Sequence, residues 1–433
     1  MKLITHKDYP NTFINGFSYD DIKKIGINVN PDVYTNDVYN IELYNNNSMH
    51  LIPNFPFTIN TGIPSEKYIF PIKADFLTYS AVSTRLQFRN NFLKNEFTFD
   101  IPDDVISDVR KNKCKILIDY SSEPYNVTHE PIISCVHYVI LRTIAQYSLS
   151  KTDLILAQAN TVKYKTDALP YTVCTRNFPI TAVPPLDYND RDELHSLIVN
   201  KTIRPKKIIS LMRKPRDHKI TIAEYIFKNN LLDENIVTLS TLHGNLGKVS
   251  KNMLDTLPWQ YDEYENNVTN IFSNSIFYKL QKQELNGYKE TYINSAIESH
   301  MYPTEATLSP KKMNQYYIEL DFTEKTMKPI IVMQPFFVFG QSGILARLKE
   351  QGYKTFDRWW DEGYDTIPNY SVRMNILLKL YKKLTKMPHD QLAEMMYEML
   401  PVLEHNEQLY RDSHTNGTEN LEMIETINKC FDK

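Results

Sequence analysis

The chain has 433 residues, with Lys+Arg 49 against Asp+Glu 52, a formal charge of -3, 42% hydrophobic and 23% charged residues. This composition describes a globular protein of two or three domains at about 150 residues each, and it leaves no global basic excess for following a nucleic acid backbone. Glycine is scarce, 11 against Tyr 29 and Phe 20, so Gly-rich backbone cradles for phosphate have little material and side chains must grip any nucleotide.

The segment Met1 to Asp8 lacks the apolar core of a signal peptide, and no stretch approaches the ~20 apolar residues that span a bilayer. A soluble, cytoplasmic protein is expected. Cys114, Cys135, Cys174 and Cys430 are scattered without C-x-x-C spacing, which predicts buried reduced thiols. The first hundred residues read as short strands and turns, with strands at Tyr68 to Ile72 and Phe97 to Ile101. Lys115 to Tyr120 is an apolar run carrying Asp119 near its end, the pattern of a buried parallel strand whose carboxyl end faces a site. A helix at Ile132 to Tyr147, a strand at Leu154 to Ala157 and a proline-punctuated loop at Phe178 to Asp187 follow. A second βα rhythm begins with a strand at Lys207 to Met212, a helix at Ile220 to Asn229 and a strand at Ile236 to Ser240. It resumes with a strand at Ile330 to Met333, a turn at Gly340 to Gly343 and a helix from Ile344 to Gln351 ended by Gly352. Beyond Ser371 the spacing of Met374, Leu377, Leu380 and Leu384 predicts helix to the end. No sequence repeat is apparent. The divisions are residues 1–195, 196–370 and a helical tail 371–433.

Several chemistries are excluded by spacing. Gly244 to Lys248 resembles a P-loop end, but Leu242 and Val249 replace the required glycine and hydroxyl residue, and no G-x-G-x-x-G, H-E-x-x-H or G-x-S-x-G occurs. Asp190-Arg191-Asp192 has a D-x-D form but reads as the acidic first turn of a helix. Asp361, Glu362 and Asp365 sit among Trp359, Trp360 and Tyr364 as solvated carboxylates of a packed loop. No metal site is assigned.

Two basic segments stand out. Arg213-Lys214-Pro215-Arg216-Asp217-His218-Lys219 follows a strand, at a βα turn where a helix N-terminus adds positive potential. It is either an anion site or a solvated basic loop. Asp321-Phe322-Thr323-Glu324-Lys325-Thr326-Met327-Lys328 offers lysines for a diphosphate leaving group and Glu324 for sugar hydroxyls, or else the capped start of a helix, since Thr323 and Glu324 suit a first turn.

The run Thr323 to Ile330, with Gln334-Pro335-Phe336, Gly352 to Asp357 and Asp361 to Asp365, resembles a family of glycosyltransferase-like proteins frequent in tailed phages and some bacteria. Arg213 to His218 and Asp119 to Glu123 resemble further elements of that family, and Thr323-Glu324-Lys325 is similar to the donor motif of fucosyltransferase-type enzymes. The resemblance spans roughly residues 110–385. It implies an α/β GT-B-like fold, two Rossmann-like domains facing across a cleft, with residues 1–195 on the acceptor side, 196–370 binding the donor, and tail helices crossing back to brace the first domain. It further implies that Arg213 and Lys325 meet the donor diphosphate, that Glu324 meets the ribose or sugar, and that Arg216, His218 and Lys328 assist. Asp119 and Glu123 are the candidates for the general base. The implied activity is metal-independent, inverting transfer from a nucleotide-sugar donor, with no resident cofactor, to a hydroxyl of a glycan, a protein or a modified DNA base. The alternatives are a non-catalytic virion-associated or partner-binding protein on the same scaffold, located in the virion or the host cytoplasm, and a DNA-base-modifying glycosyltransferase.

Overall fold

The computed structural model of the protein describes residues 2–4, 58–60, 67–73, 98–99, 101–120, 132–158, 169–175, 183, 185–212, 215–239, 249–257, 259, 280, 282–298, 301, 323–416 and 421–433. These form a mixed α/β protein with two all-parallel sheets.

The first sheet takes strands β1 (Lys2–Ile4), β2 (Thr58–Asn60), β3 (Tyr68–Lys73), β4 (Cys114–Tyr120), β5 (Leu154–Gln158) and β6 (Thr172–Thr175) in the order β2-β1-β3-β4-β5-β6. Helices α1 (Asp103–Arg110) and α2 (Ile132–Tyr147) lie between β3 and β5 in the chain. Side chains alternate across a strand. Ile116 and Ile118 of β4 therefore pack with Val105, Ile106 and Val109 of α1 and Val139 and Ile140 of α2, while Leu117 points to the opposite face with Ile69 and Ile155. The predicted strand at 97–101 is not formed at Thr98, Phe99 or Ile101. The Phe99 amide donates to Thr143 Oγ1 and the Ile101 amide to the Tyr147 hydroxyl, so α2 side chains take the place of a neighbouring strand.

The second sheet follows α3 (Tyr188–Val199). Its strands β7 (Ile208–Ser210), β8 (Ile236–Val237), β9 (Ile293–Ile297) and β10 (Phe336–Phe339) run in the order β10-β9-β7-β8. Between them lie α4 (Asp217–Lys228), α5 (Lys251–Leu254), α6 (Lys282–Glu290) and α7 (Glu324–Ile331). After β10 come α8 (Ile344–Glu350), a 3-10 turn (Gly363–Thr366), α9 (Tyr370–Thr385), α10 (His389–Glu398), α11 (Leu400–Asn416) and α12 (Leu421–Phe431). The expected strand at Ile330 to Met333 is a correction: Ile330 and Ile331 close α7, Met333 takes a left-handed turn at φ 49°, and the strand begins at Phe336. An apolar run is buried in either state, and Thr323 capping the preceding turn decides for helix. Gly352, at φ 92°, ends α8 in the left-handed conformation that a C′ glycine supplies.

Numbered within its own sheet, each unit has the order 2-1-3-4, extended by two strands in the first. Such sheets are wound in both directions from one point, and ligands of open α/β sheets sit at the carboxyl ends of the strands flanking that point. In the second sheet the flanking strands are β7 and β9, and in the first they are β1 and β3.

The helices from α9 to α11 cover the second core with Leu377, Leu384, Leu392, Met396 and Leu403, whereas α12 leaves it. Met423, Ile427, Cys430 and Phe431 lie at helical spacing and cover Ile69, Leu117, Ile155, Ala157 and Cys174 of the first sheet. Phe431 is held at its backbone as well, its carbonyl accepting from Lys67 Nζ at 3.3 Å and Asn112 Nδ2 at 3.0 Å. The tail thus returns to the first unit. Cys114, Cys174 and Cys430 are buried free thiols, as expected, and the side chain of Cys135 lies outside the described residues.

Candidate functional site

The carboxyl end of the second sheet brings together most of the described residues named from sequence. Strand β7 delivers α4, whose first turn holds His218 and Lys219, both buried, and whose N-cap position is Arg216. Arg216 makes no capping hydrogen bond with its side chain, so a cation stands where Ser, Thr, Asp or Asn is usual. Arg213 and Lys214 lie outside the described residues.

Strand β9 leads directly into Glu298, which is fully buried. Its Oε1 accepts from the Thr323 amide at 2.8 Å and from Thr326 Oγ1 at 2.6 Å, and its Oε2 accepts from Thr323 Oγ1 at 2.7 Å. The carboxylate therefore satisfies donors that the start of α7 leaves open. Because a carbonyl can only accept, His218 Nε2 carries a proton and donates to the Glu298 carbonyl at 3.0 Å. One residue thus binds the first turns of α4 and α7 to the end of β9, beside the point where the winding of the sheet reverses.

Glu324 and Lys325 follow the cap directly. Lys325 Nζ pairs with Glu324 Oε1 and donates to Thr323 Oγ1 at 3.1 Å, with the two charged side chains 25% and 23% exposed. Burial pushes the Glu324 carboxyl up, but the charge and hydrogen bond of Lys325, with Lys328 behind it, outweigh that and hold it down at about 2. Glu324 is therefore an ionised acceptor at neutral pH. Lys328, one turn on, is closed on Glu284 at 2.6 Å, and both of those side chains are more buried.

The turn after β10 contributes a third helix start, and it is filled. Asp365 Oδ1 accepts from the amides of Gly343 and Leu345, and Oδ2 from that of Ala346, each at 3.1 Å. A carboxylate of the same chain occupies the position where α8 would otherwise offer its amides to an anion. Arg373 locks the neighbouring loops, donating from Nε to the Gly340 carbonyl at 3.0 Å and from its other nitrogens to the carbonyls of Ile367 and Met301.

The acidic loop differs from its sequence reading. Glu362 and Asp365 are buried, not solvated: Glu362 accepts from Thr355 Oγ1 at 2.6 Å and the Phe356 amide at 2.7 Å, and burial pushes its carboxyl up. Backbone amides and the Thr355 hydroxyl satisfy these carboxylates where solvent was expected to. Asp190-Arg191-Asp192 lies in the first turn of α3, as expected, capped by Asp187. Among the described residues no group of three His, Cys, Asp or Glu side chains is arranged to hold a metal ion, and no helix is long and apolar enough to cross a membrane.

On the first sheet, Asp119 occupies the sixth position of β4, paired in register with Lys73 of β3 and Ala157 of β5. It is at the carboxyl end, one strand removed from the β1/β3 pair where the winding reverses. Glu123 lies outside the described residues.

The sequence reading missed Glu298, Asp365 as a helix cap, and Arg373. Glu298 carries the same signal as Asp119, an acid at the end of a buried strand. It was hidden because Asn294 and Ser295 interrupt the apolar run, and both are buried. Ser295 Oγ bonds to Ser210 Oγ at 2.7 Å, and Ser210 Oγ to the Tyr381 hydroxyl at 3.1 Å, which satisfies polar groups inside an otherwise apolar sheet. Comparison of the chain with family models, with curated proteins and with solved structures gives no match.

Proposed function

We propose that the protein is a glycosyltransferase of GT-B-like architecture, transferring a sugar from a nucleotide-sugar donor to a hydroxyl acceptor with inversion, and with side-chain cations in the role a metal plays elsewhere. The observation that carries the reading is the meeting of the α4 and α7 first turns at Glu298, beside the β7/β9 pair. Since Asp365 fills the start of α8, the anion-binding potential of this edge is concentrated at α4, with a cation at its N-cap position, and at Lys325.

In this reading the donor diphosphate lies between Arg213, Arg216 and Lys325, and ionised Glu324 accepts from ribose or sugar hydroxyls. His218, buried on the Glu298 carbonyl, and Lys328, closed on Glu284, position this edge from behind. The acceptor oxygen attacks the anomeric carbon, the bond from that carbon to the diphosphate oxygen breaks with its electron pair leaving on the diphosphate, and Asp119 or Glu123 takes the acceptor proton. Donor hydrolysis across a panel of UDP-, GDP- and other nucleotide sugars tests the reading. Turnover lost in Lys325→Ala and Arg213→Ala is expected, and a well-folded protein that binds no nucleotide overturns it.

A second reading, a non-catalytic virion-associated or partner-binding protein on the same scaffold, is favoured by one observation: Lys325 and Lys328 are each paired with a carboxylate of their own chain. It predicts stable incorporation into particles with no nucleotide affinity.

A further inference from the structure

We infer that Glu298 is the positioning residue of the donor site, a role that rests on the glycosyltransferase reading and extends it to a residue outside the Thr-Glu-Lys and Arg-Lys-Pro-Arg segments. The groups proposed to hold the donor stand on two separate helices, α4 and α7, more than a hundred residues apart in sequence. Helices that merely pack on a sheet can slide and rotate by an ångström or more, and misplacement on that scale is costly to a transfer reaction. Glu298 removes that freedom at both places. Its carboxylate holds Thr323 through the amide and the hydroxyl, and Thr326 through the hydroxyl, fixing the rotation of the α7 first turn and with it the direction of Glu324 and Lys325. Its carbonyl receives His218 Nε2, fixing the first turn that follows Arg213 and Arg216.

The surroundings fit a rigid post. Glu298 continues directly from β9, a strand buried along its whole length, and its own amide donates to the Phe339 carbonyl at 3.0 Å, tying it to β10. Gly340 lies alongside: a Cβ there would come 3.5 Å from Glu298 Cγ and much closer to Ile344. Three Glu298 side-chain hydrogen bonds of 2.6 to 2.8 Å converge on one turn of α7, whereas Lys325 N reaches the Thr323 hydroxyl only at 3.4 Å. The orientation of that turn is thus set by Glu298 more than by its own cap.

The experiment measures UDP, GDP and ADP binding by titration calorimetry for the full chain and for Glu298→Gln, Thr326→Val, Lys325→Ala and the Glu298→Gln/Lys325→Ala double variant. The nucleotide that binds the wild type is expected to bind Glu298→Gln at least tenfold more weakly and Thr326→Val about threefold more weakly. In the Lys325→Ala background the Glu298→Gln change is expected to cost less than threefold, because its effect passes through Lys325. A Glu298→Gln affinity within twofold of wild type, or an undiminished effect in the Lys325→Ala background, overturns the assignment. Should Glu298→Gln fail to fold, Thr326→Val carries the same comparison with Lys325→Ala. If the wild type binds none of these three nucleotides and no other nucleotide of the donor panel, the glycosyltransferase reading falls, and the role of Glu298 is read separately by amide exchange. Residues 323–327 are then expected to exchange at least tenfold faster in Glu298→Gln with β4 and β5 unchanged, and unchanged exchange at residues 323–327 overturns it.

Discussion

Replacing Phe431 by alanine removes the ring that closes the outer face of the first sheet. Phe431 is 3% exposed and packs in one cluster with Ile69, Leu117, Ile155, Ala157 and Cys174. Its ring lies 5.4 Å from Lys67 Nζ and 5.7 Å from Lys115 Nζ. Truncating a buried Phe to Ala costs about 3–5 kcal/mol; an exposed cation–π contact such as that of Lys67 is worth about 0.5–1 kcal/mol and a desolvated one, as with buried Lys115, about 2 kcal/mol. The carbonyl of residue 431 keeps its bonds from Lys67 and Asn112 in the variant, so α12 retains its polar anchor and the expected loss lies at the lower end, about 3 kcal/mol. All three tryptophans, Trp259, Trp359 and Trp360, belong to the second unit, which separates the two readouts. Amide exchange in β4 and β5 is expected to quicken roughly 100-fold, the equivalent of that energy, while the tryptophan-monitored urea transition moves far less. Phe431→Leu, which keeps most of the volume, is expected to lose under about 1.5 kcal/mol. Exchange in β4 and β5 quickened by less than threefold in Phe431→Ala would refute the claim that α12 is an integral layer of the first unit.

Two further outcomes follow from the site. Glu324 has a folded-state pKa depressed to about 2, so its ion pair contributes stability that is fully present above the unfolded carboxyl value near 4.3 and is lost as pH falls toward 2. Glu324→Gln is therefore expected to lower the urea midpoint at pH 7 and to converge with wild type near pH 2, and a constant difference across that range contradicts the pairing. At Gly340 an added Cβ would meet Ile344 Cδ1 at 2.4 Å and Val338 Cγ1 at 3.1 Å, so Gly340→Ala is expected to lose about 1–3 kcal/mol. Ile344→Val removes Cδ1, so the double variant is expected to be more stable than the sum of the two changes by about 1 kcal/mol, measured by denaturation, and strict additivity rules the clash out.

Much of the fold is legible along the chain. The apolar run of β4, the helix at Ile132–Tyr147 and the helical spacing after Tyr370 are set by local periodicity and stand where the residues place them. The misreadings lie where periodicity is ambiguous. Ile330 and Ile331 are buried in a helix, not a strand, and Ser295 lies in a buried strand although it is polar, because Ser210, itself bonded to Tyr381, satisfies it from a neighbouring strand. The candidate site divides in the same way: Thr323, Glu324 and Lys325 declare a capped first turn by themselves, while Glu298 has no meaning until β9 and α7 are brought together.

By itself the sequence determined the α/β class, the burial of the thiols of Cys114, Cys174 and Cys430 and the placing of charged residues at strand ends, because each depends on residues within a turn or two of one another. Scarce glycine also pointed to side chains, not backbone cradles, as the grip on any anion. Only the tertiary structure decided that both sheets share one strand order, that the last helix completes the first sheet, and that Asp365 fills one helix start while Arg216 takes the N-cap position of another. Those outcomes depend on contacts between segments far apart in the chain, and such contacts leave no period in a sequence: a buried carboxylate or carbonyl takes whichever donor the folded chain brings within about 3 Å.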